Sequence, residues 1–243
     1  MSILELLNLK SNDKKFWVLI DPDKQKPDEA VEFSKLCEKS GVDVLLVGTS
    51  LTMTNMFNET IKRIKKSVNI PVLIFPASVN DVSTHADGIL FLSLISGRNP
   101  QYLIDEHVKA APLIKASNIT PLPVGYMLID SGKPTSVNFM SNTTPLPSHK
   151  PEISVAHAMA AEFLGMKTVY LESGSGADNS VPDEIVKAVK EVLNIPVIVG
   201  GGITNPEIAK NKAQAGADII VVGTALEKNR KESLIKEFRQ AIR

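Results

Sequence analysis

"PVIVGGGITNPEIAKNKAQAGADIIVVGTAL", Pro196 to Leu226, holds two short apolar runs, "PVIVG" and "DIIVVG", on either side of a segment with helical spacing. Both runs are continuous rather than alternating, as expected of parallel strands covered on both faces. The segment between them opens on Asn205-Pro206 and closes on Gly216, the start and stop chemistry of a helix. Strand, glycine turn, helix and strand follow one another, which makes the stretch a βαβ unit. Each strand also runs into glycine: Gly200, Gly201 and Gly202 after the first, Gly223 with Thr224 after the second.

The same unit recurs in both directions. Apolar runs stand at Phe16–Ile20, Asp43–Gly48, Pro71–Phe75, Gly88–Leu94, Leu122–Ile129 and Lys167–Leu171, which with the two above make eight. Segments with helical spacing lie between most of them, and "ALEKNRKESLIKEFRQAIR" supplies a last helix. Eight strands with alternating helices in 243 residues predict a single (β/α)8 barrel domain spanning residues 1–243. An open doubly wound sheet is the structural rival that periodicity alone leaves standing.

Two connections break the pattern. After Phe75 only "PASVNDVSTHAD" precedes the next strand, and its turn formers leave no room for a full crossover helix. The third helix is therefore expected to be replaced by a non-helical segment that opens this flank to a long substrate. The stretch from Asp130 to Pro151, with Pro134, Pro145 and Pro147 inside it, is too long for a simple connection and reads as either a site cover or tolerated surface.

Composition removes several function classes. Lys and Arg number 27 and Asp and Glu number 27, so no global field gathers nucleic acid or an anionic membrane. An anionic ligand has to be bound locally. The one cysteine, Cys37, excludes an intrachain disulfide and a cysteine-rich zinc site, fits a reducing cytosol, and is expected to pack as a small hydrophobe. The N-terminal twenty residues lack the layout of a secretory leader. No apolar run approaches the ~20 residues that cross a bilayer. These readings predict a cytoplasmic protein that meets lipid only peripherally, from the water side.

In such a barrel, chemistry sits where strands run into the following loops. Those positions hold Asp21 and Asp23, Thr49 and Ser50, Tyr170 and Glu172, and the two glycine groups. Bare peptide N–H groups after consecutive strands suit a phosphate, although two tight turns would look the same. "YLESGSGADN", Tyr170 to Asn179, adds Glu172 in front of Gly174, Ser175, Gly176 and Ala177. Either this is a long flexible turn, or the backbone stays bare because an anion rests on it while the carboxylate acts on that ligand. Asp21 with the Ser50 hydroxyl can hold a hard cation such as magnesium, which completes its shell with waters and substrate phosphates. Taken alone, "DPDK" is more often a capped turn. His85, His107, His149 and His157 lack transition-metal spacing, and no nucleophilic triad is visible.

Taken in order, "LIDPDK", "VGTS", "LPVGYMLI", "KPEISVAHAMAAEFLGMKTVYLESGSGA", "IVGGGIT" and "AGADIIVVGTALE" resemble the geranylgeranylglyceryl phosphate synthase family of prenyltransferases over nearly the whole chain. The resemblance implies a modified barrel lacking its third helix. It implies magnesium-dependent formation of an ether bond between sn-glycerol 1-phosphate and geranylgeranyl diphosphate, with release of pyrophosphate, in phospholipid biosynthesis. It places metal ligands at Asp21 and Ser50. Contacts to glycerol phosphate fall on Tyr170, Leu171, Glu172, Ser173, Gly174, Ser175 and Gly176, on Gly201 and Gly202, and on Gly223 and Thr224. A homo-oligomer, dimer or hexamer, is implied as well. A bacterial branch carries lysine two residues before the metal aspartate, where this chain has Leu19, so the sequence is more similar to the archaeal-type second group.

On that resemblance Glu172 is the expected general base, with Tyr170 and Tyr126 orienting the acceptor or lining the path of the tail. The tail itself is expected near Phe75, Phe91, Leu92 and Leu94. Two other readings share the glycines: another phosphate-binding barrel, of the phosphosugar isomerase or thiamin-phosphate-synthase kind, and a non-catalytic prenyl-phosphate binding protein. The first leaves "LPVGYMLI" and "YLESGSG" unexplained, and the second has no need of Glu172 or a metal.

Overall fold

Eight parallel strands close on themselves in chain order: β1 (Lys15–Ile20), β2 (Val44–Val47), β3 (Val72–Ile74), β4 (Gly88–Leu94), β5 (Thr120–Leu128), β6 (Thr168–Glu172), β7 (Val197–Gly200) and β8 (Ile219–Val222). The predicted barrel is therefore found, and the open sheet is excluded by the pairing of β1 with β8, Val18 opposite Val222. This computed structural model describes residues 3–7, 9 and 13–243. Within the N-terminal twenty residues, whose layout is unlike a secretory leader, residues 1, 2, 8 and 10–12 lie outside the described set.

The continuous apolar runs are explained by two layers of core. Trp17, Val44, Leu46, Leu73, Leu90, Val124, Ile198 and Val221 fill the barrel interior. Their strand neighbours Phe16, Val18, Leu45, Val47, Val169, Val199 and Ile220 point outward, under the helices. Both pleat faces are buried, so neither alternates with polar residues. Ile3 and Leu7, from and just after the short helix α1 (Ile3–Leu6), join the interior layer.

The outer layer consists of α2 (Pro27–Lys39), α3 (Phe57–Ser67), α4 (Glu106–Ser117), α5 (Ser136–Ser141), α6 (Pro151–Phe163), α7 (Asp183–Val192), α8 (Pro206–Gln214), α9 (Thr224–Lys228) and α10 (Glu232–Ile242). Between β3 and β4 stands only a single 3-10 turn, Val79–Asp81, capped by Ser78 and Asp81. The buried Asp81 carboxylate accepts the N–H groups of Ala77 and Ser78 and the Thr52 hydroxyl, so this segment is fixed although it is not a helix. A π turn, Gln101–Asp105, leads into α4.

One expectation is corrected. The last helix is broken into α9 and α10, with Lys231 in extended conformation between them. The break lets α10 turn back, burying Ile235 and Phe238 and stacking Phe238 on Phe16 with ring centroids 6.1 Å apart. The stretch 130–151, too long for a simple connection, has local structure of its own. It holds α5, started by a capping box between Thr135 and Asn138, and Leu146 bridges to Ile129 beyond β5.

Candidate active site

The loops beyond the strands' C-terminal ends enclose one cavity of about 1320 Å³. Its polar end lies over β6, β7, β8 and β1, and an apolar arm extends toward the gap between β3 and β4. The arm uses both faces of β4: Leu90, Leu92 and Leu94 belong to the barrel interior, whereas Ile89 and Phe91 sit on the outside, with Ala110 and Ile114 of α4. A full third helix would occupy that outer ground. Its replacement by the 3-10 turn, whose Val79 lines the arm along with Val82, is what leaves the trough open.

Three hydrogen bonds hold the walls of the arm. The Glu106 carboxylate accepts Val79 N–H at 2.9 Å, tying α4 to the 3-10 turn. The Tyr102 hydroxyl donates to Met140 O at 3.2 Å, and Asn99 Nδ2 donates to Ser141 O at 2.7 Å, tying the π-turn region to α5. Pro134, Val137, Phe139 and Met140 line the cavity. Within the stretch 130–151, residues from Pro134 to Ser141 thus border the site, whereas the rest does not line it.

At the polar end, β6 presents Tyr170 and Glu172, two residues apart and hence on one face of the strand. Gly174 N–H donates to Glu172 Oε1 at 2.6 Å. Burial pushes the Glu172 carboxyl up to about 7, against the opposing pull of that N–H and of the Tyr170 hydroxyl. Burial, reinforced by the Glu172 charge, also raises the Tyr126 and Tyr170 hydroxyls well above their ordinary range. The rings of Phe75, Tyr126 and Tyr170 meet edge to face with centroids 5.4 to 5.9 Å apart. A carboxyl that is half ionised near neutrality and opens onto a cavity is suited to accept a proton.

The glycines have different causes. A Cβ on Gly200 would collide with the Tyr170 hydroxyl, and one on Gly201 with Glu172 Oε1. These two are bare first of all to seat the side chains of β6, a purpose that their spacing in sequence did not reveal. Gly176, at φ 71°, has nothing within 4 Å of where a Cβ would stand and so faces open space. The Ser175 and Thr224 hydroxyls lie 3.2 Å apart and join the loops after β6 and β8 across β7. Because α9 is only five residues long, N–H groups rather than a long helix dipole are left to meet an anion there.

Asp21 and Ser50 line the same cavity beyond β1 and β2. Asp21 does not stand alone: its N–H donates to Glu227 Oε1 at 2.7 Å, and its Oδ1 accepts Asp23 N–H at 3.0 Å. Lys24 Nζ lies 2.9 Å from Asp21 Oδ2 and 3.5 Å from Glu227 Oε2. Burial pushes the Glu227 carboxyl up. Burial would lower the Lys24 ammonium, but hydrogen bonding and charge from Asp21 and Glu227 outweigh it and raise the value. Among the described residues no group of three or more His, Cys, Asp or Glu side chains is placed to hold a metal.

Of the residues expected at the site, Asp21, Ser50, Tyr170, Glu172, Gly174, Ser175, Gly176, Gly201, Gly202, Gly223 and Thr224 line the cavity, as do Tyr126, Phe75, Phe91, Leu92 and Leu94. Leu171 and Ser173 do not. Leu171 alternates outward into the layer beneath the helices, and Ser173 is buried with its N–H on Gly200 O, so neither side chain reaches the cavity. Lys24 and Glu227 were missed as site residues although both stand in the quoted motifs "LIDPDK" and "VVGTALE"; a lysine and a glutamate just beyond two strand ends were the available signal. Among the described residues no helix is long and apolar enough to cross a membrane.

A model of the PcrB family matches residues 9–242. The geranylgeranylglyceryl phosphate synthase of Chitinophaga pinensis is 46% identical over 229 residues, 94% of this chain and 90% of its own. The synthase of the same name from Methanosphaera stadtmanae is 42% identical over 228 residues, 93% of each chain. The crystal structure of (S)-3-O-geranylgeranylglyceryl phosphate synthase from Thermoplasma acidophilum, in complex with sn-glycerol-1-phosphate, matches with a TM-score of 0.94 at 35% identity, covering 100% of this chain and 98% of that one.

Proposed function

The chain belongs to the PcrB family, and on that premise we propose that it is a prenyltransferase joining sn-glycerol 1-phosphate to geranylgeranyl diphosphate through an ether bond. The observation that carries this reading is one cavity with two unlike ends. A buried carboxyl poised near 7 sits among glycine loops at one end, and an apolar arm on both faces of β4 forms the other. A phosphate-bearing acceptor suits the first and an isoprenoid tail the second.

In the reaction the glycerol hydroxyl oxygen forms a bond to the first carbon of the donor. The bond from that carbon to the diphosphate breaks, and its electron pair leaves with pyrophosphate. The hydroxyl proton goes to the Glu172 carboxylate, a transfer typically worth ~10² to 10⁴ in rate. Tyr170 supports Glu172 by donating its hydroxyl, and Gly174 N–H holds the other side of the carboxylate's charge. The Phe75, Tyr126 and Tyr170 rings exclude water at the junction between the two ends.

The donor set at Asp21 fits a hard cation, because its carboxylate and that of Glu227 already gather the Lys24 ammonium. Asp21 and the Ser50 hydroxyl would hold magnesium, which when bound neutralises the charge of the departing diphosphate. Incubating the protein with labelled sn-glycerol 1-phosphate, a series of prenyl diphosphates and magnesium tests the proposal. Labelled prenyl ether is the expected product. Binding of both ligands without product would leave a prenyl-phosphate binding protein.

A further inference from the structure

Among the described residues, the lysines that line the cavity are Lys24 and Lys228. Lys24 is the one engaged there by carboxylates, with its ammonium between Asp21 Oδ2 and Glu227 Oε2 at 2.9 and 3.5 Å. Both acidic side chains are nearly buried, 12% and 8% exposed, whereas that of Lys24 is 49% exposed. Glu227 is also anchored by accepting Asp21 N–H. Two fixed anions therefore share a cation that is carried on a flexible four-carbon stem and can leave.

We propose that Lys24 fills the cation seat between Asp21 and Glu227 in the free protein, yields it to a divalent cation, and then pairs with the diphosphate of the donor. This rests on the metal role proposed above for Asp21. The charges show why the exchange is useful. Asp21, Glu227 and the Lys24 ammonium sum to one negative charge, which repels a diphosphate. With a divalent cation in the seat the carboxylates are neutralised, and the displaced ammonium adds one positive charge beside the donor's headgroup. Metal and diphosphate then favour each other's binding, as reciprocal linkage requires. Glu227 becomes the second carboxylate of the seat, and Lys24 a diphosphate-binding residue.

Manganese binding to the whole protein, read by electron paramagnetic resonance with and without inorganic pyrophosphate, tests this. Lys24→Met removes the competing ammonium, so manganese alone should bind about tenfold more tightly, while the variant gains less than the wild type from added pyrophosphate. Glu227→Gln should bind manganese about tenfold more weakly. The affinity of both variants for sn-glycerol 1-phosphate serves as the check on folding, with Lys24→Gln taking the place of Lys24→Met if that variant does not fold. Manganese affinity unchanged or weakened in the Lys24 variant, or unchanged in Glu227→Gln, overturns the proposal. If Asp21→Asn binds manganese as the wild type does, the metal role of Asp21 falls and this proposal falls with it. If Asp21→Asn loses manganese but the Lys24 variant does not move, only the exchange is wrong.

Discussion

The loops after β6, β7 and β8 and the gap between β3 and β4 open into the same cavity, yet they are built by opposite means. The first region is made of backbone. Gly174, Gly176, Gly201 and Gly202 all have positive φ, and at three of them a Cβ would strike a neighbouring loop or side chain. The second is made of apolar side chains around a missing helix, held by a few carboxylate caps such as Asp81 and Glu106. A charged headgroup needs donors at fixed positions, which a crowded glycine backbone supplies. A hydrocarbon tail needs only area, which a trough of Leu, Ile, Val and Phe supplies without fixed geometry.

The largest effect is expected at the rigid end. Glu172→Gln keeps the shape but removes the proton acceptor, so turnover should fall by ~10² to 10⁴ while both substrates still bind. In the wild type kcat/KM should rise with pH and level off above about 7, as the carboxyl ionises, and the variant should lose that limb. Near-wild-type turnover in the variant would strip the glycine end of its catalytic role and leave it a binding surface.

The same substitution should stabilise the fold. The Glu172 carboxyl titrates at about 7 when folded and near 4.5 when free, so between these values the folded state holds the extra proton. Stability is therefore highest below about 4.5 on this account and declines as pH rises through 7. The shift corresponds to about 3 kcal/mol at most. Thermal melts of wild type and Glu172→Gln should diverge in favour of the variant at pH 8 and converge at pH 4.5. Parallel curves would mean that the buried carboxyl costs the fold nothing.

At the adaptable end, Ala77→Trp and Ala110→Trp place bulk in the arm. Each should shorten the preferred donor, lowering kcat/KM for the longest by roughly ten- to a hundredfold, with sn-glycerol 1-phosphate affinity unchanged. Rates across donors of graded length decide the matter, and an unaltered profile in both folded variants would put the tail elsewhere. Ser93, on the same strand as Leu92, is not a useful probe, since its hydroxyl is spent on Leu103 O and it does not line the cavity. The smallest effect belongs to Ser175→Ala, which unlinks the loops after β6 and β8. It should weaken glycerol-phosphate binding by about 1 kcal/mol, measured by calorimetry, and leave the donor profile alone.

Much of this contrast was legible in the chain. The turn formers of "PASVNDVSTHAD" announced the missing helix, and "YLESGSG" with "GGGI" announced a bare backbone beside a carboxylate. What was not legible was the reason for individual glycines. By sequence alone Gly200 and Gly201 look bare for a ligand, whereas they first make room for Tyr170 and Glu172. The family resemblance carries contacts over as the contiguous run Tyr170 to Gly176, and such a run does not record that Leu171, between Tyr170 and Glu172, points to the opposite face of β6. The cover over the arm was equally hidden, since α5 is only six residues long and its ties to Tyr102 and Asn99 span about forty positions.

Strand positions, most helix ends and the absent third helix follow from local rules: apolar period, turn chemistry and capping each act over a few residues, and the sequence by itself determined them. The seat shared by Asp21, Lys24 and Glu227 is of another kind. Asp21 and Glu227 stand 206 positions apart and meet only because β8 closes on β1. So too does the arm, which exists because both faces of β4 become lining once the 3-10 turn replaces a helix. Barrel closure brings together side chains that no window of sequence contains, and for that reason the tertiary structure alone decided which charges face one another and where an apolar tail can lie.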